Sequence, residues 1–474
     1  MSSLAFLFDR AVSTLRQYPI TISTVVVFFL VAYTLIARRF FHLRNIPGPW
    51  WACYTRIWLL KTLASEDSPN RYIETNRKYG PLARIGPNHL ITTDPEAFRR
   101  ILAARTNYQR GRWFDSLRLD PHNANLISER EWPRHNRLRQ QMAPGYDGKD
   151  IKDFEIGIDE NLQQWIQYIE EHGVTHPGQP VKEFEIGRSI QYLVTDMICR
   201  LCFGRALGFI ENHTDRHEFL QTLEQRLPIV EKFSIYTEVS TLISFISNIP
   251  WVNKVLPSAE DKNGIGRIIG ICREIIDERL SPESQAKPPK NDMLDSFLKH
   301  GLSRREAELE MTISLFAGSD TTATSIRAIL LHIMSNPLIY ARLRQEIDDG
   351  IAEGTISTPA LEEQVRKLPY LQACIREGLR IFPPITYLRE RVTPPQGDIL
   401  SGHFIPGGVN IGFNLPGLLL NPVFEPDART FRPERWLETE PEKLRKMERV
   451  MDLVFGWGST RCLGIRMANA NQSL

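Results

Sequence analysis

One cysteine near the end of the chain lies in a loop suited to holding a sulfur ligand. The stretch from Phe455 to Gly464 reads FGWGSTRCLG, and Cys462 is followed at once by residues able to start a helix. Backbone N–H groups and the positive end of a helix stabilise a thiolate, which can serve as an axial ligand to iron. The alternative is an ordinary buried cysteine at a turn, which is the commoner case for a lone cysteine. The rest of the chain must decide between the two.

A second group of reactive side chains interrupts an apolar helical pattern. Ser303 and Glu306 form a capping box that predicts the start of a long helix, and residues 317–322 of that helix read AGSDTT. Glycine, a carboxylate and hydroxyls weaken a helix locally. This is either a helix with a polar stripe or a place where oxygen can lie beside an iron, with Asp320 and Thr321 to deliver protons.

Two further pairs of charged residues have helical spacing. Glu377 and Arg380 lie three apart on a helix predicted from Leu371, and Arg435 lies in the stretch FRPERW at 431–436. Such a pair is usually on the surface, but a buried carboxylate is tolerated when arginines flank it on both sides. His135 and Arg139 lie four apart on a helix predicted from residue 131, which by itself indicates only a solvated basic face.

Composition excludes some classes of protein. The 474 residues carry 58 basic and 56 acidic side chains, a formal charge of +2 that argues against a nucleic-acid protein held by phosphate contacts. The six cysteines have no framework spacing, as expected where thiols stay reduced, and Cys199 and Cys202 are predicted to be core residues on one helix. No nicotinamide or flavin motif is present.

The amino-terminal region predicts a membrane anchor. Residues 20–37 read ITISTVVVFFLVAYTLIA, close to the roughly 20 residues that span a hydrocarbon core, and fit an anchor better than a signal peptide or a buried helix. Arg38, Arg39 and Arg44 predict that the following side is cytosolic, which makes residues 1–19 lumenal. Residues 38–50 are predicted to be a basic, proline-rich hinge.

The remaining pattern predicts a mainly α protein with a small β-rich part. Two short strands are expected around a turn at 86–87, followed by a helix that begins near Asp94 and Pro95. Residues 107–130 are turn-rich and long, which is typical of a binding loop. Residues 154–280 are mostly helical in pattern.

Together these residues resemble the cytochrome P-450 family of haem-thiolate monooxygenases. The cysteine loop fits F-x-x-G…C-x-G, the long helix fits A/G-G-x-D/E-T-T/S, and E-x-x-R and P-E-R-W lie between them in the family's order. The resemblance spans nearly the whole chain. Phrases such as GWGSTRCLG at 456–464 and MAPGY at 142–146 resemble the fungal pisatin demethylase-like group.

The resemblance implies a triangular helical prism that encloses haem b, formed by residues 51–474 behind the single transmembrane helix. It makes Cys462 the proximal iron ligand and assigns Thr321 and Asp320 to catalysis. It makes Ile385, Thr386 and Tyr387 neighbours of the substrate. The residues that it assigns to the cofactor are Cys462, His135, Arg139, Arg391, Ala317, Gly318, Phe455, Gly456 and Gly464, and those that it assigns to folding around haem are Glu377, Arg380 and Arg435.

The resemblance also implies the partners of the reaction. It implies a membrane-bound enzyme that uses O2 to hydroxylate or otherwise oxidise a lipophilic small molecule, in fungal secondary metabolite biosynthesis. NADPH-cytochrome P-450 reductase is the expected electron donor, with cytochrome b5 as a second candidate, and no nucleic acid is involved. The expected location is the endoplasmic reticulum membrane, with a single pass and a cytosolic catalytic domain.

Two departures from the family pattern lead to alternative hypotheses. Thr460 stands where the family commonly has a basic residue, and only twelve residues, Leu463 to Leu474, follow Cys462. The domain is therefore expected to be incomplete at its C-terminus, as the truncated product of a monooxygenase gene with impaired haem retention. One alternative is a non-catalytic membrane protein of the same fold. The other is a reductase-independent haem-thiolate isomerase or dehydratase, against which the pair Asp320 and Thr321 argues.

Overall fold

The computed structural model describes residues 19–40, 43–151, 154–249 and 257–473, which are mostly helical. The α-helices of the first half are α1 Pro19–Phe40, α2 Ile57–Leu63, α3 Ser68–Tyr79, α4 Pro95–Ile101, α5 Trp132–Tyr146, α6 Phe154–His172, α7 Ile186–Phe203, α8 Phe209–Asn212, α9 Phe219–Ser234 and α10 Thr237–Ile246. Those of the second half are α11 Gly264–Leu280, α12 Pro282–Gln285, α13 Met293–Lys299, α14 Arg304–Met334, α15 Pro337–Ala352, α16 Glu362–Val365, α17 Pro369–Ile381, α18 Leu415–Leu418, α19 Pro441–Met451 and α20 Ile465–Ser473.

Seven short strands form the β-rich part. Their bounds are β1 Leu82–Gly86, β2 His89–Thr92, β3 Gln109–Arg110, β4 Arg391–Val392, β5 Asp398–Leu400, β6 His403–Ile405 and β7 Asn410–Phe413. Five of them make one sheet in the order β1, β2, β7, β4, β3, in which β2 and β7 run parallel and the other neighbours antiparallel. Strands β5 and β6 form a separate hairpin. The predicted strands around residues 86–87 are confirmed as β1 and β2.

Local signals fix where several helices begin. The Asp94 carboxylate accepts hydrogen bonds from the first backbone N–H groups of α4, with Pro95 at the first helical position. Ser303 and Glu306 form the complete capping box at the start of α14. Helix α14 is continuous over 31 residues, so the weak AGSDTT segment does not break it. The predicted starts of these helices are confirmed.

A helical core and a sheet core hold the molecule together. In the helical core, each of α5, α7, α11, α13 and α14 contributes a buried side chain: Leu138, Phe203, Ile275, Phe297 and Met311. Burying a side chain of this size stabilises the fold by about 1.5–3 kcal/mol. Cys199 and Cys202 lie in the same core on α7, as predicted. The sheet core, which includes Leu90 and Ile411, extends to the loop that carries Cys462.

The structure bears on the prediction of an amino-terminal membrane anchor. Residues 20–37 are helical within α1, and residues 1–18 lie outside the described residues. Crossing a membrane takes about 20 consecutive apolar residues. Among the residues that the structure describes, no helix is both long and apolar enough to do so. The predicted membrane-spanning anchor over residues 20–37 is therefore not supported.

The predicted hinge is partly a packed segment. Helix α1 continues to Phe40, and residues 43–50 then lie against the sheet, with Leu43 and Ile46 buried. The Arg84 N–H donates to the Pro47 carbonyl at 2.8 Å. A Cβ added at Gly48 would lie 2.0 Å from the Arg84 carbonyl oxygen, so glycine is required for this close approach. The segment therefore attaches to β1.

Candidate active site

The backbone of the cysteine loop is fixed by tight turns. The Cys462 N–H donates to the Phe455 carbonyl at 2.7 Å, which closes the loop. Gly456 and Gly458 have positive φ angles of 77° and 60°, and a Cβ at Gly458 would lie 2.2 Å from the Leu102 carbonyl oxygen. Gly464 leaves space beside the thiol, because a Cβ there would lie 3.9 Å from the Cys462 Sγ. The loop therefore presents its sulfur from a rigid frame.

The thiol is accessible yet closely surrounded by protein. Cys462 is exposed, whereas the other five cysteines are buried. Burial raises the pKa of the Cys462 thiol, and this rise is opposed by the backbone N–H of Gly464 and by the charges of Arg139, Arg389 and Arg461. The loop alone therefore does not favour the thiolate, which corrects the expectation from sequence. A metal ion deprotonates a coordinating thiol outright, so ligation would supply what the loop lacks.

Helix α14 reaches the cysteine loop through one aromatic side chain. The Tyr146 hydroxyl hydrogen-bonds to the Ser314 hydroxyl at 2.7 Å, and its ring lies 3.8 Å from a Cβ built on Gly464. Tyr146 is half-buried and belongs to α5, so three elements meet around it. Burial raises its pKa far above the ordinary value, which keeps the hydroxyl protonated and able to donate.

Within the AGSDTT segment the side chains have different surroundings. The Thr321 hydroxyl donates to the Ala317 carbonyl at 2.7 Å and is half-buried. Gly318 faces α7, where an added Cβ would lie 2.8 Å from the Ile198 Cδ1. This glycine permits close packing of the two helices, and its predicted place beside oxygen stays a prediction. Ala317 contributes its backbone carbonyl, which accepts the hydrogen bond from Thr321, rather than its methyl group.

Asp320 opens into a large cavity. This cavity has a volume of about 520 Å³ and is lined by Asp320, Glu224, Gln191 and Arg327 among others. Arg327 donates to the Gln191 side chain, and its charge lowers the pKa of Asp320, whereas burial and Glu224 raise it. Burial has the largest effect, so the pKa of Asp320 lies above its ordinary value. A carboxyl group whose pKa moves toward neutrality is better suited to exchange protons.

A cluster of arginines occupies the space between α5 and strand β4. Arg110 and Arg391 are buried, and both guanidinium groups stack on the Phe114 ring, 4.9 and 5.0 Å from its centre. Arg389 adjoins them, and Arg139 donates to the Arg461 carbonyl at 2.7 Å. Burial lowers the pKa of Arg110 to about 9 and that of Arg389 to about 10. This much positive charge in one place requires anions.

His135 belongs to the same cluster and is neutral there. It is 1% exposed, and its Nε2 lies 3.1 Å from the Arg110 Nη2. Burial and then the charge of Arg110 lower the pKa of His135 to about 3, so its ring accepts a hydrogen bond from the guanidinium at neutral pH. Arg391 contacts Thr460 at 3.4 Å, so the position that lacks the family's basic residue has an arginine beside it.

The cluster fits the two carboxylates of haem. The Nε atoms of Arg110, Arg389 and Arg391 are buried and have no hydrogen-bond partner among the described residues. Carboxylates form strong, charge-assisted hydrogen bonds with guanidinium groups. An accessible thiol on one side and buried unpaired donors on the other therefore suit an iron porphyrin with acidic side chains.

The predicted charged triad is assembled in the interior. Glu377, Arg380 and Arg435 are 0%, 1% and 2% exposed. Glu377 accepts two hydrogen bonds from Arg380, at 2.9 and 2.8 Å, and one from Arg435 at 3.0 Å. Arg380 and Arg435 also donate to carbonyls of the chain between residues 419 and 430. The triad thereby ties α17 to the segment that precedes the cysteine loop.

The segment from Ile385 to Tyr387 comes directly before Leu388 and Arg389 along the chain. The Tyr387 ring lies 6.0 Å from the Trp113 ring, and both line a small cavity of about 20 Å³ with Glu231 and Glu390. Burial, with the charges of Glu231 and Asp320, raises the pKa of Tyr387 to about 12. Ile385 and Thr386 are half-buried beside it.

Comparison with known proteins settles the family. A family model described as "Cytochrome P450" matches residues 46–474. The chain is 34% identical over 431 residues to "Cytochrome P450 monooxygenase aba1" of Botryotinia fuckeliana, which covers 90% of this chain and 83% of that protein. It is 33% identical over 450 residues to "Cytochrome P450 monooxygenase ABA1" of Pyricularia oryzae, covering 93% and 86%. It is also 32% identical over 437 residues to "Cytochrome P450 monooxygenase abl1" of Leptosphaeria maculans, covering 92% and 76%.

The chain belongs to the cytochrome P450 family. It is therefore a haem-thiolate monooxygenase, and its cofactor is haem b with a cysteine thiolate as iron ligand. The predicted family, enzyme class and cofactor are confirmed.

Two arginines of the cluster were missed by sequence reasoning. Arg110 lies in the turn-rich segment at 107–130, where its Nη1 donates to the carbonyls of residues 126, 127 and 129 at 2.9, 2.9 and 2.7 Å. It holds this loop together and also faces His135. Arg389 stands two residues before Arg391, and that spacing is a signal that could have drawn attention to it.

Proposed function

We propose that Cys462 is the residue that ligates the haem iron, and that the enzyme oxidises a lipophilic small molecule with O2. The observation that carries the proposal is the accessible Cys462 thiol facing buried guanidinium groups whose Nε atoms lack partners. Arg139 and Arg391 would hold the propionates, with Arg110 as a further donor, and His135 would contribute by accepting a hydrogen bond from Arg110 and orienting it. Phe455 and Gly456 shape the loop, and Gly464 keeps the space beside the sulfur open.

Bound haem supplies the redox chemistry that inserts an oxygen atom into a C–H bond, and its thiolate ligand favours cleavage of the O–O bond. The chain's own residues supply protons. Asp320 meets the 520 Å³ cavity, so it can exchange protons with water that enters there. Thr321 follows it on α14, and its hydroxyl can release the Ala317 carbonyl to pass a proton onward.

The substrate lies, in this proposal, between α14 and the segment from Ile385 to Tyr387. Tyr387 lines a cavity at this segment, which supports the location. Trp113 contributes an apolar wall next to Tyr387. Because relatives from Botryotinia fuckeliana and Pyricularia oryzae are P450 monooxygenases of fungi, we assign the enzyme to fungal secondary metabolite biosynthesis.

Electrons come from a separate reductase in this proposal, because the sequence has no nicotinamide or flavin motif of its own. NADPH-cytochrome P-450 reductase is the proposed donor, with cytochrome b5 as an accessory. We place the catalytic domain on the cytosolic side of the endoplasmic reticulum membrane, and the six free cysteines support the cytosolic side. Turnover with NADPH but without any added reductase would contradict this assignment.

The Thr321→Ala variant tests the proton route. With the reductase present, NADPH consumption should continue while the yield of oxidised product per NADPH falls, and hydrogen peroxide should account for the difference. The matched control is Thr312→Ala, because Thr312 is a buried threonine of the same helix whose hydroxyl donates to the carbonyl four residues earlier at 2.7 Å. Equal coupling in both variants would overturn the role of Thr321.

A further inference from the structure

The small cavity beside Tyr387 has the size of a single polar group. Its volume is about 20 Å³, which is room for one water-sized occupant. Helices α2, α3 and α9, strand β2 and the chain from residue 387 to residue 390 surround it. Apolar walls from Leu59 and Trp113 enclose it, and the polar side chains that line it include Tyr72, Glu231, Tyr387 and Glu390.

Two polar side chains of this cavity are deeply buried without a hydrogen bond. Tyr72 is 2% exposed and Glu390 is 6% exposed. Within the part of the chain that the structure describes, neither the Tyr72 hydroxyl nor the Glu390 carboxylate has a hydrogen-bond partner, and the His89 Nε2 is 3.8 Å from that carboxylate. Buried polar groups are nearly always hydrogen-bonded, because leaving them without a partner is costly. These two groups therefore call for a partner from outside the described chain.

The charged groups near Glu390 leave its carboxylate available. Burial raises the pKa of Glu390 to about 7, and the charge of Arg56 opposes this rise. Arg56 is paired elsewhere, because it donates to the Glu238 carboxylate at 2.9 Å. His89 is neutral, because burial lowers its pKa to about 4. The Glu390 carbonyl accepts from the Gly111 N–H at 3.0 Å, so the backbone that carries the carboxylate is fixed.

The two groups without partners have complementary hydrogen-bonding chemistry. Burial, with the charges of Glu231 and Glu390, raises the pKa of Tyr72 far above its ordinary value, so its hydroxyl stays protonated and can donate. An ionised Glu390 can only accept. Glu231 offers a second acceptor, whose pKa burial raises to about 7 against the charge of Lys232. A hydroxyl group both donates and accepts and is as large as one water molecule, so it fits the cavity in size and in bonding.

We propose that this cavity is a subsite for a hydroxyl group of the substrate, so that the enzyme acts on lipophilic alcohols. The Glu390 carboxylate accepts a hydrogen bond from that hydroxyl, and the Tyr72 hydroxyl donates to its oxygen. The proposal rests on the function proposed above and deepens it by naming the substrate's chemical class. Tyr387 connects the two, because it lines this cavity and belongs to the segment assigned to the substrate. A site built to hydrogen-bond a hydroxyl discriminates strongly against an analogue that lacks it.

The test compares octan-1-ol with 1-fluorooctane, which differ only in the group at one end. Fluorine cannot donate a hydrogen bond and accepts one only weakly. Binding to the haem-loaded enzyme is measured by isothermal titration calorimetry at pH 8, where a carboxyl group with a pKa of about 7 is mostly ionised. Because water holds the alcohol more strongly than the fluoride, the quantity compared between proteins is the ratio of the affinity for the alcohol to that for the fluoride.

Glu390→Leu removes the acceptor and leaves an apolar side chain of similar size. It should lower the affinity ratio about tenfold, since a hydrogen bond to a charged group contributes about that much to binding. Its affinity for 1-fluorooctane should not fall. Without ligand, the variant should unfold at the same denaturant concentration as the unaltered protein or at a higher one, because the carboxylate has no internal hydrogen bond to lose.

Two further variants complete the set. Tyr72→Phe should also lower the ratio, but by less, because a hydrogen bond between neutral groups is weaker. Glu74→Leu is the matched control, because Glu74 lies on the same helix as Tyr72 with its side chain 51% exposed and pairs with Arg77 at 2.7 Å. It should leave the ratio unchanged.

The proposal is overturned if the ratio is the same in the unaltered enzyme and in Glu390→Leu, because the cavity would then hold water only. It is also overturned if Glu390→Leu weakens the binding of both ligands equally, because Glu390 would then shape the pocket without binding the hydroxyl. The reduced carbon monoxide spectrum of the same samples judges the proposed function separately. Its absence would refute that function, while the calorimetric ratio, which needs no haem signal, would still decide whether the subsite exists.

Discussion

Replacing Glu377 by glutamine should destabilise the fold strongly, because Glu377 is a fully buried carboxylate. The carboxylate receives two hydrogen bonds from Arg380, one from Arg435 at 3.0 Å, one from the Arg432 N–H at 3.0 Å and one from the Trp436 Nε1 at 3.0 Å. An amide in its place carries no charge and turns an NH2 group toward these donors. The buried Arg380 then loses its counter-ion, and Arg435 keeps only its ion pair with Asp427 at 2.8 Å.

The size of the effect follows from the burial of this group. Breaking a buried ion pair by removing one partner costs about 3–5 kcal/mol, because the remaining charge stays buried. Residues 46–474 make a domain of about 430 residues, with an unfolding entropy of about 0.9 kcal/mol/K, so this loss lowers the Tm by about 3–6 °C. The change is a large part of a total stability of about 5–15 kcal/mol.

Circular dichroism measures this lowering of the Tm during thermal unfolding. Both samples are heated at one scan rate and have equal haem content. The control is Glu442→Gln, because Glu442 pairs with Lys446 at 2.8 Å with side chains 76% and 65% exposed, and exposed pairs contribute little. The control should melt with the unaltered protein. If Glu377→Gln melted with them as well, the account of the triad as the connection between α17 and the cysteine loop would be refuted.

Two other predictions concern helix α14. Gly318→Ala should destabilise the protein by about 1–3 kcal/mol because the new methyl meets Ile198 at 2.8 Å, and the double variant with Ile198→Val should recover part of that loss in chemical denaturation. Glu310 is buried with one oxygen unpartnered, and burial raises its pKa from 4.5 to about 8. Between these two pKa values the folded state keeps the Glu310 proton while the unfolded chain loses it, so the free energy of unfolding falls as the pH rises through that window. Glu310→Gln should reduce this fall, which chemical denaturation curves recorded from pH 5 to pH 8 measure.

Short-range signals in the sequence predicted much of the fold. The Ser303 capping box and the pair Asp94 and Pro95 begin helices where expected, because each works through atoms within four residues of itself. The strands β1 and β2 were predicted for the same reason. The parallel pairing of β2 with β7 was not, because it joins residues 89–92 to residues 410–413 and no local pattern records such a partner.

Some residues of the candidate site can likewise be recognised from the sequence, and others cannot. Motif positions such as Cys462, Thr321 and Glu377 are visible in the sequence, because their chemistry and spacing are distinctive. Arg110 is not, since its importance comes from burial beside His135 and Arg391, which lie far from it along the chain. The packing of Gly318 against Ile198 could not be predicted, because Ile198 comes from another helix.

The central claim is that Cys462 ligates haem iron as a thiolate in this chain. The most direct test is the difference spectrum of the purified, reduced protein with and without carbon monoxide. The account predicts a full thiolate-type Soret shift for the unaltered chain and its loss in Cys462→His, which offers an imidazole instead. A protein that binds haem but shows no such shift, or a variant that keeps it, would contradict the claim.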